Sequence, residues 1–190
     1  MILTGVGGQG IQLAAQILAR SAVLEERHVM TLGTYGGTMR GGSTDSVVVV
    51  ADAPISTPPI VPRIWSTLAM HHQFFEPVRA KLRPGALVVV NQTLFDAPLD
   101  RDRCRVFEVP ATEIATELGS SLAASMVLLG AHAALSELVG LETLVAGMRE
   151  SVPAYRHEHL AMNERALRAG HASAPRGEVP AWDDAGREVA

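Results

Sequence analysis

The sequence contains little cysteine, little lysine and few aromatic residues. Of its 190 residues one is a cysteine, Cys104, and aromatic residues make up 4%. A single cysteine excludes an internal disulfide bond and a four-thiolate cluster, so the simplest setting is a reducing cytoplasm. Lys81 is the one lysine, the formal net charge is −4, and no basic run is present. We therefore expect no nucleic-acid partner, because phosphate binding needs a clustered cationic face.

Long apolar runs are also lacking. No stretch approaches the roughly 18 residues that cross a bilayer, so we expect no membrane association, and the opening residues lack the basic region of a signal peptide. Hydrophobic residues still make up 47% of the chain, which excludes disorder for most of it. We expect one α/β domain over residues 1–170. Residues 171–190 are polar and aperiodic, which predicts a flexible tail or an arm ordered by a partner.

Strands and helices alternate along the chain. We expect strands at residues 1–4, 29–32, 44–51, 64–70, 86–90 and 105–109, and helices at 11–24, 72–82, 111–119, 121–138 and 153–169. Four consecutive valines in the third strand predict burial on both faces. We expect Pro84 and Gly85 to end the second helix, Gly119 to end the third, and Leu122 to lie on the apolar face of the fourth. This order predicts an α/β fold with a mostly parallel sheet, flanking helices and a helical C-terminal part.

The first turn between a strand and a helix is rich in glycine. Gly5, Gly7 and Gly10 have the spacing G-x-G-x-x-G. Such a turn brings the backbone close to a phosphate at the N-terminus of the helix, which predicts a Rossmann-like start. A dinucleotide site also needs a carboxylate at the end of the second strand, and residues 31–33 contain none. Three interpretations stay open: NAD, another phosphate-bearing group, and simple packing or a subunit contact.

A second glycine cluster follows the second strand. Between residues 33 and 43 it combines several glycines with Tyr35, Arg40 and Ser43. The guanidinium of Arg40 suits a carboxylate or a phosphate. Ordering so many glycines costs conformational entropy, so we expect a loop that is mobile or is held by a ligand or another chain. A long surface loop is the alternative.

Four segments carry a family resemblance when they are read together: GVGGQGIQLAAQILARSA, YGGTMRGGSTDSVVV, APISTPPIV and PATEIATELGSSLAASMVLLGA. They resemble the gamma subunit of 2-oxoacid:acceptor oxidoreductases, the pyruvate/2-oxoacid ferredoxin/flavodoxin oxidoreductase family. The resemblance extends to about Gly170. The sequence departs from the family at Ser120 and Ser125, where asparagine is usual.

The resemblance implies an accessory gamma subunit that is inactive alone, contains no catalytic residue and binds no metal. Thiamine diphosphate and iron–sulfur clusters belong to the alpha, beta and, in some members, delta subunits, and ferredoxin accepts the electrons. No cofactor is expected to bind this chain tightly, although some gamma subunits contribute to coenzyme A binding. The residues implied to face the coenzyme or a partner are Gly5, Gly7, Gly8, Gln9, Gly10, Tyr35, Arg40, Gly41, Gly42 and Ser43.

Two other functions stay open, a self-sufficient nucleotide-binding enzyme and a purely structural scaffold. A homodimer is a further candidate, because exposed glycine loops and an alanine-rich apolar helix favour association. The adjacent histidines His71 and His72 lack the i+3 or i+4 spacing at which two helical residues ligate one metal ion. Neither the 2-oxo acid nor the subunit stoichiometry can be read from the sequence.

Overall fold

The computed structural model describes residues 1–36 and 41–182. Its six strands form one sheet with the order β2-β3-β1-β4-β5-β6. The strands are β1 (Ile2–Val6), β2 (His28–Tyr35), β3 (Ser43–Ala51), β4 (Ile64–Ala69), β5 (Leu82–Asn91) and β6 (Arg105–Val109). The helices are α1 (Ile11–Leu24), α2 (Glu76–Arg79), α3 (Ala111–Glu117), α4 (Ala124–Ser136), α5 (Leu141–Ser151) and α6 (Leu160–Ala172).

Five of the six strands run in the same direction. Strands β1, β4, β5 and β6 pair in parallel, whereas β3 is antiparallel to both β1 and β2. The predicted α/β fold with a mostly parallel sheet and a helical C-terminal part is thus confirmed. The prediction that β3 is buried on both faces is wrong. Its residues alternate between buried and partly exposed, because α1 packs on one face while the other face stays partly open.

The main core lies between the sheet and the helices α1, α3, α4, α5 and α6. Every residue of α4 is buried, so α4 is the central helix of this layer. On the opposite face of the sheet, a smaller core forms beneath α2 and the chain that leads into β6. Phe75 is fully buried there and contacts the ring of Phe95 edge-on, with ring centroids 5.0 Å apart.

Helices α4 and α6 approach each other closely at two glycines. A Cβ atom on Gly170 would overlap the carbonyl oxygen of Val127, and one on Gly130 would overlap the carbonyl oxygen of Leu167. The contact therefore joins backbone to backbone. It holds α6 against the central helix and sets the distance between them.

The predicted helix over residues 72–82 is wrong except for the single turn of α2. Pro77 explains this, because a proline in a helix interior clashes with the carbonyl four residues earlier and lacks an N–H donor. Pro84 and Gly85 lie within β5 rather than at a helix end, since Leu82 already pairs with Ile64 in the sheet. At the end of α3 the prediction holds. The N–H groups of Gly119 and Ser120 bond the carbonyls of Thr116 and Ala115, which is the pattern of a Schellman motif.

Two later helices begin further along the chain than predicted. Leu122 lies in a 3₁₀ turn, Ser121–Ala123, and is 80% exposed, so its predicted place on the apolar face of a helix is wrong. A second 3₁₀ turn, Ala154–His159, replaces the predicted start of the closing helix. Both turns leave side chains exposed at the same end of the molecule.

The predicted flexible tail does not begin at residue 171. Helix α6 continues to Ala172, and the next ten residues run back along the end of α4. The N–H groups of Gly177 and Ala181 donate to the carbonyls of Ala134 and Ser136. Ala181 is buried, so apolar contacts also keep this segment in place. The polar composition of the segment gave no indication of these contacts. Residues 183–190 lie outside the described residues. None of the helices in the described part of the chain is long and apolar enough to cross a membrane.

Candidate functional site

The turn between β1 and α1 is shaped by a left-handed glycine. Gly10 has a φ of 77° and stands at the N-cap of α1. A Cβ atom at this position would lie 2.6 Å from the Oγ atom of Ser125, so only glycine fits both the backbone and the space. No side chain caps this helix end, and its first turn contains no acidic residue. The partial positive charge of a helix N-terminus is therefore left without compensation here.

The other residues of the predicted motif have different roles. Gly5 is buried in β1, and a Cβ atom there would lie 2.7 Å from Oε1 of Gln9 and 3.0 Å from Cβ of Met70. The N–H of Val6 donates to that Gln9 oxygen at 2.8 Å, which ties the side chain to its own turn. Gly8 is exposed. A Cβ atom at Gly5 would thus meet packed neighbours, whereas one at Gly8 would meet nothing within 4 Å.

The two glycine clusters are brought together in the structure. The N–H of Gly7 donates to the carbonyl of Gly42 at 2.8 Å, and the N–H of Gly41 approaches the carbonyl of Gly7 at 3.4 Å. Ser43 begins β3, and its carbonyl accepts a hydrogen bond from Gly36. Tyr35 is the last residue of β2. Arg40 lies outside the described residues, so its predicted role as the charged contact stays a prediction.

A cleft of about 850 Å³ opens at the N-terminus of α1. Three separate segments line it: the first glycine turn, the connection from α3 to α4, and the 3₁₀ turn with the start of α6. The polar residues and glycines that line it include Gly8, Gly10, Ser120, Ser125, Arg156 and His159. Apolar side chains complete its walls, among them Leu13, Met126 and Met162.

Ser125 is the most informative residue of this cleft. It is 1% exposed, and its Oγ atom would lie 2.6 Å from a Cβ atom built on Gly10. A hydroxyl at this wall of the cleft can donate a hydrogen bond to a bound anion. Sequence analysis noted Ser125 and Ser120 only as departures from the family pattern. It did not place them beside Gly10.

Arg156 supplies a positive charge at the rim of the cleft. It is exposed, its guanidinium lies 5.4 Å from the centre of the Tyr155 ring, and it forms no salt bridge within the described part of the chain. The neighbouring His159 approaches a carboxylate oxygen of Glu158 at 3.5 Å. Arg156 and His159 were missed by sequence analysis, because about 150 residues separate them from the glycine turn. The cleft thus combines an uncompensated helix N-terminus, a buried hydroxyl and a free cation, which together suit an anionic group such as a phosphate.

Metal-ligating side chains lie apart from one another in the described part of the chain. Among the described residues, no group of three or more histidine, cysteine, aspartate or glutamate side chains converges on one point. Cys104 is buried, and burial raises the pKa of its thiol. The rings of His71 and His72 lie 4.5 Å apart, and burial together with the neighbouring His72 lowers the pKa of His71.

Comparison with known proteins decides the family. Residues 1–173 match the family model described as pyruvate ferredoxin/flavodoxin oxidoreductase. The chain belongs to this family. The predicted resemblance to gamma subunits of 2-oxoacid:acceptor oxidoreductases is thereby confirmed.

Relatives of this chain come from several archaea. The 2-oxoglutarate synthase subunit KorC of Methanocaldococcus jannaschii is 32% identical over 155 residues, which cover 80% of this chain and 82% of that protein. The indolepyruvate oxidoreductase subunit IorB of Archaeoglobus fulgidus is 28% identical and is covered to 98%. The ketoisovalerate oxidoreductase subunit VorA of Methanothermobacter thermautotrophicus is 30% identical, but the match spans 35% of its length.

Solved structures show the same fold. A keto/oxoacid ferredoxin oxidoreductase gamma subunit from Geobacter sulfurreducens superimposes with a TM-score of 0.77 at 24% identity, covering 91% of this chain and 96% of that one. A 2-oxoglutarate:ferredoxin oxidoreductase from Magnetococcus marinus, determined with 2-oxoglutarate, coenzyme A and succinyl-CoA bound, gives a TM-score of 0.80 at 23% identity. The match covers 91% of this chain and 30% of that longer chain. Its fold therefore occurs both as a separate chain and as part of a longer one.

Proposed function

We propose that the chain is the non-catalytic gamma subunit of a cytoplasmic 2-oxoacid:ferredoxin oxidoreductase, and that its cleft binds part of coenzyme A. The complex converts a 2-oxo acid and coenzyme A to an acyl-CoA, CO₂ and a proton, and two electrons pass to ferredoxin. Partner subunits hold the thiamine diphosphate and the iron–sulfur clusters, for which this chain lacks the ligands. Alpha and beta subunits, with a delta subunit in some complexes, are the partners that this role requires.

One observation carries the proposal: the buried hydroxyl of Ser125 faces the uncapped N-terminus of α1 inside a cleft of about 850 Å³. Backbone N–H groups at the start of a helix bind phosphate oxygens, and the helix dipole favours the negative charge. Gly8 and Gly10 have no Cβ atom, so a phosphate can approach this backbone closely. We infer that the hydroxyl of Ser125 donates to the same anion.

Arg156 supplies the charge that the anion needs. Coenzyme A carries a diphosphate and a 3′-phosphate, and a guanidinium binds such groups through two parallel hydrogen bonds. The apolar walls formed by Leu13, Met126 and Met162 suit the uncharged parts of the coenzyme. The cleft falls within the range of roughly 300–1,000 Å³ that is typical of small-molecule sites, so it accommodates a portion of coenzyme A rather than all of it.

The remaining predicted residues support the turn that faces the ligand. Gly5 and Gln9 shape it from inside, while Gly41 and Gly42 contact Gly7 from the second loop. Their contribution to coenzyme binding is indirect, through the position of Gly8 and Gly10. Tyr35, Arg40 and Ser43 belong to the second glycine cluster in sequence. We expect Arg40→Ala to lower turnover of the complex at subsaturating coenzyme A and to leave the fold of the isolated chain intact, and equal turnover of the variant and wild-type complexes would contradict this role.

Steady-state kinetics of the purified complex test the proposal. We expect Arg156→Ala to raise the KM for coenzyme A about tenfold, because it removes one charge-assisted hydrogen bond, which contributes roughly 1.5 kcal/mol or more. The KM for the 2-oxo acid should stay unchanged. Arg101→Ala is the matched control, because Arg101 is also exposed but pairs with Glu108 on β6. An unchanged KM for coenzyme A in the Arg156 variant contradicts a role of the cleft in binding.

The isolated chain provides the complementary experiment. We expect no oxidoreductase turnover without the partner subunits, and measurable turnover would contradict the non-catalytic role. Saturable binding of NAD or NADP by the isolated chain would instead favour the self-sufficient nucleotide-binding enzyme. The end of β2 argues against that alternative, because residues 31–36 contain no carboxylate for a ribose.

A further inference from the structure

One half of the sheet has a face that is partly exposed. On β2 and β3, one face packs on α1, where Gln12 contacts Gly33 and Ser46. The register of the two strands places Met30 beside Val49 and Leu32 beside Val47 on the other side. We call these four residues the open face. Leu32 is 39% exposed, and the other three are partly exposed.

A carboxylate with one buried and unpaired oxygen lies next to the open face. Asp45 aligns with Thr34 on β2 and with Thr4 on β1, so the three residues form the next row on the same side of the sheet. In the described part of the chain, neither Oδ1 of Asp45 nor Oγ1 of Thr4 has a hydrogen-bond partner, and both atoms are buried. Buried polar atoms are nearly always hydrogen-bonded in native proteins. Asp45 as a residue is partly exposed and forms no salt bridge in the described part of the chain, so its negative charge is available to a partner at this surface.

The edge of the sheet beside the open face is unprotected. Strand β2 lies at this edge and pairs with β3 over eight consecutive residues without a bulge. Its sequence, HVMTLGTY, contains no proline, lysine or carboxylate. Proteins usually protect an edge strand with such residues or with bulges, because free backbone groups otherwise pair with another chain.

We propose that the open face and the β2 edge form the docking surface for another subunit of the oxidoreductase. The docked segment presents apolar side chains to Met30, Leu32, Val47 and Val49, and it places an arginine or lysine side chain beside Asp45. This inference rests on the proposed place of the chain in a multisubunit complex. It assigns the contact to the side of the sheet opposite α1, whereas the coenzyme cleft lies at the N-terminus of α1.

Charge favours a different subunit over a second copy of this chain. The open face and the row of Asp45 contain one carboxylate, and the residues that the register aligns there include no arginine or lysine. A twofold contact would place identical surfaces against each other, and this surface would then lack a cation for Asp45. A partner with a complementary charge satisfies the carboxylate that a second copy leaves unpaired.

Assembly of the complex tests the docking surface. The tagged chain is co-expressed with the subunits that carry thiamine diphosphate, and the identified subunits are quantified after purification at low and high salt. We expect Leu32→Lys and Asp45→Asn each to weaken assembly by at least about tenfold. Leu32→Lys buries a charge in the contact, and Asp45→Asn leaves the cation of the partner unpaired. Leu24→Lys is the matched control, since Leu24 is 38% exposed and lies on α1, on the other side of the sheet.

Folding of the variants is measured separately by circular dichroism of the isolated chain. A photo-crosslinking phenylalanine derivative at position 32 of the otherwise unchanged chain provides a second readout. We expect crosslinks from position 32, and not from position 24, to a peptide of the thiamine-carrying subunits. Crosslinks from position 32 to a second copy of this chain, or normal assembly of both variants, would overturn the docking surface. Failure of the unmodified chain to co-purify with those subunits would instead overturn the proposed function.

Discussion

Ser66 and His132 form a hydrogen bond in the centre of the molecule, with 2.6 Å between Oγ and Nε2. Both residues are fully buried, Ser66 on β4 and His132 on α4. The other ring nitrogen of His132 lies 3.3 Å from Oγ of Ser136, one helical turn later. Burial lowers the pKa of His132 to about 3, with a smaller contribution from the positive N-terminus. The pair is therefore a neutral polar link between the sheet and the central helix at physiological pH.

The first prediction concerns the pH dependence of stability. An unfolded His132 takes up a proton near its ordinary pKa of 6.5, whereas the folded residue does so only near about 3. Between these values the unfolded state binds more protons, so the free energy of unfolding falls as the pH decreases, by up to about 1.4 kcal/mol per pH unit. Above pH 6.5 this contribution is fully present. Urea unfolding at pH 7.5 and pH 5.0 measures the difference.

The control removes the polar pair as a unit. In Ser66→Ala/His132→Leu the contribution of His132 is absent, so we expect a smaller loss of stability between the two pH values. The other histidines are common to both proteins and cancel in the comparison. Ser66→Ala alone leaves Nε2 unpaired and is expected to cost about 1–3 kcal/mol at pH 7.5. An identical pH dependence of the double variant and the wild-type chain would contradict the prediction.

The second prediction concerns the contact between α4 and α6. Gly170→Ala places a methyl group against the carbonyl oxygen of Val127, and neither backbone can move without separating the two helices. We expect a loss of roughly 3 kcal/mol in the free energy of unfolding, measured by urea denaturation. In a helix without such a contact, glycine to alanine is stabilising by about 1 kcal/mol. Ala161→Gly, at an exposed position of α6, measures this propensity effect separately. A higher free energy of unfolding for Gly170→Ala than for the wild-type chain would disprove the close contact.

The third prediction concerns the contact between Gly10 in the glycine turn and Ser125 in the wall of the cleft. Gly10→Ala forces an alanine to a φ of 77° and brings its Cβ to 2.6 Å from Oγ of Ser125. We expect the backbone strain to cost about 1–2 kcal/mol and the overlap to add to it. Ser125→Ala alone is expected to be near neutral, because alanine differs from serine only by the hydroxyl oxygen at the wall of the cleft.

The double variant Gly10→Ala/Ser125→Ala separates the two causes. Removal of the hydroxyl relieves the overlap but not the backbone strain, so we expect a favourable coupling of about 1 kcal/mol in a double-mutant cycle of unfolding free energies. Strictly additive effects would show that the two residues are not in contact. The same variants assayed for coenzyme A binding connect this wall to the proposed function.

Local sequence patterns predicted the start of the fold with accurate boundaries. The apolar residues of α1 recur every three or four positions and are preceded by the glycine turn, and the observed helix spans the predicted residues. Strand β6 also matches, because its short apolar run is bounded by Arg105 and Pro110. Such patterns reflect interactions between residues that are close in the chain.

The errors arose where distant residues decide the conformation. The chain around residues 72–82 is apolar enough for a helix, yet Leu82 joins the sheet beside Ile64. Leu122 has the spacing of a core residue but is exposed, since α4 begins only after it. Ala181 lies in a polar segment but is buried, because the segment packs against the end of α4.

The sequence by itself determined the α/β class, the glycine turn at the N-terminus of α1, and the family to which the chain belongs. These features depend on residue types at short, ordered spacings, which are visible without a structure. The tertiary structure alone decided that Ser125 and Arg156 meet Gly10 at one cleft, and that Asp45 lies unpaired beside the open face. More than 100 residues separate Gly10 from Ser125, and only the packing of α1 with α4 and α6 against one sheet brings such distant side chains together.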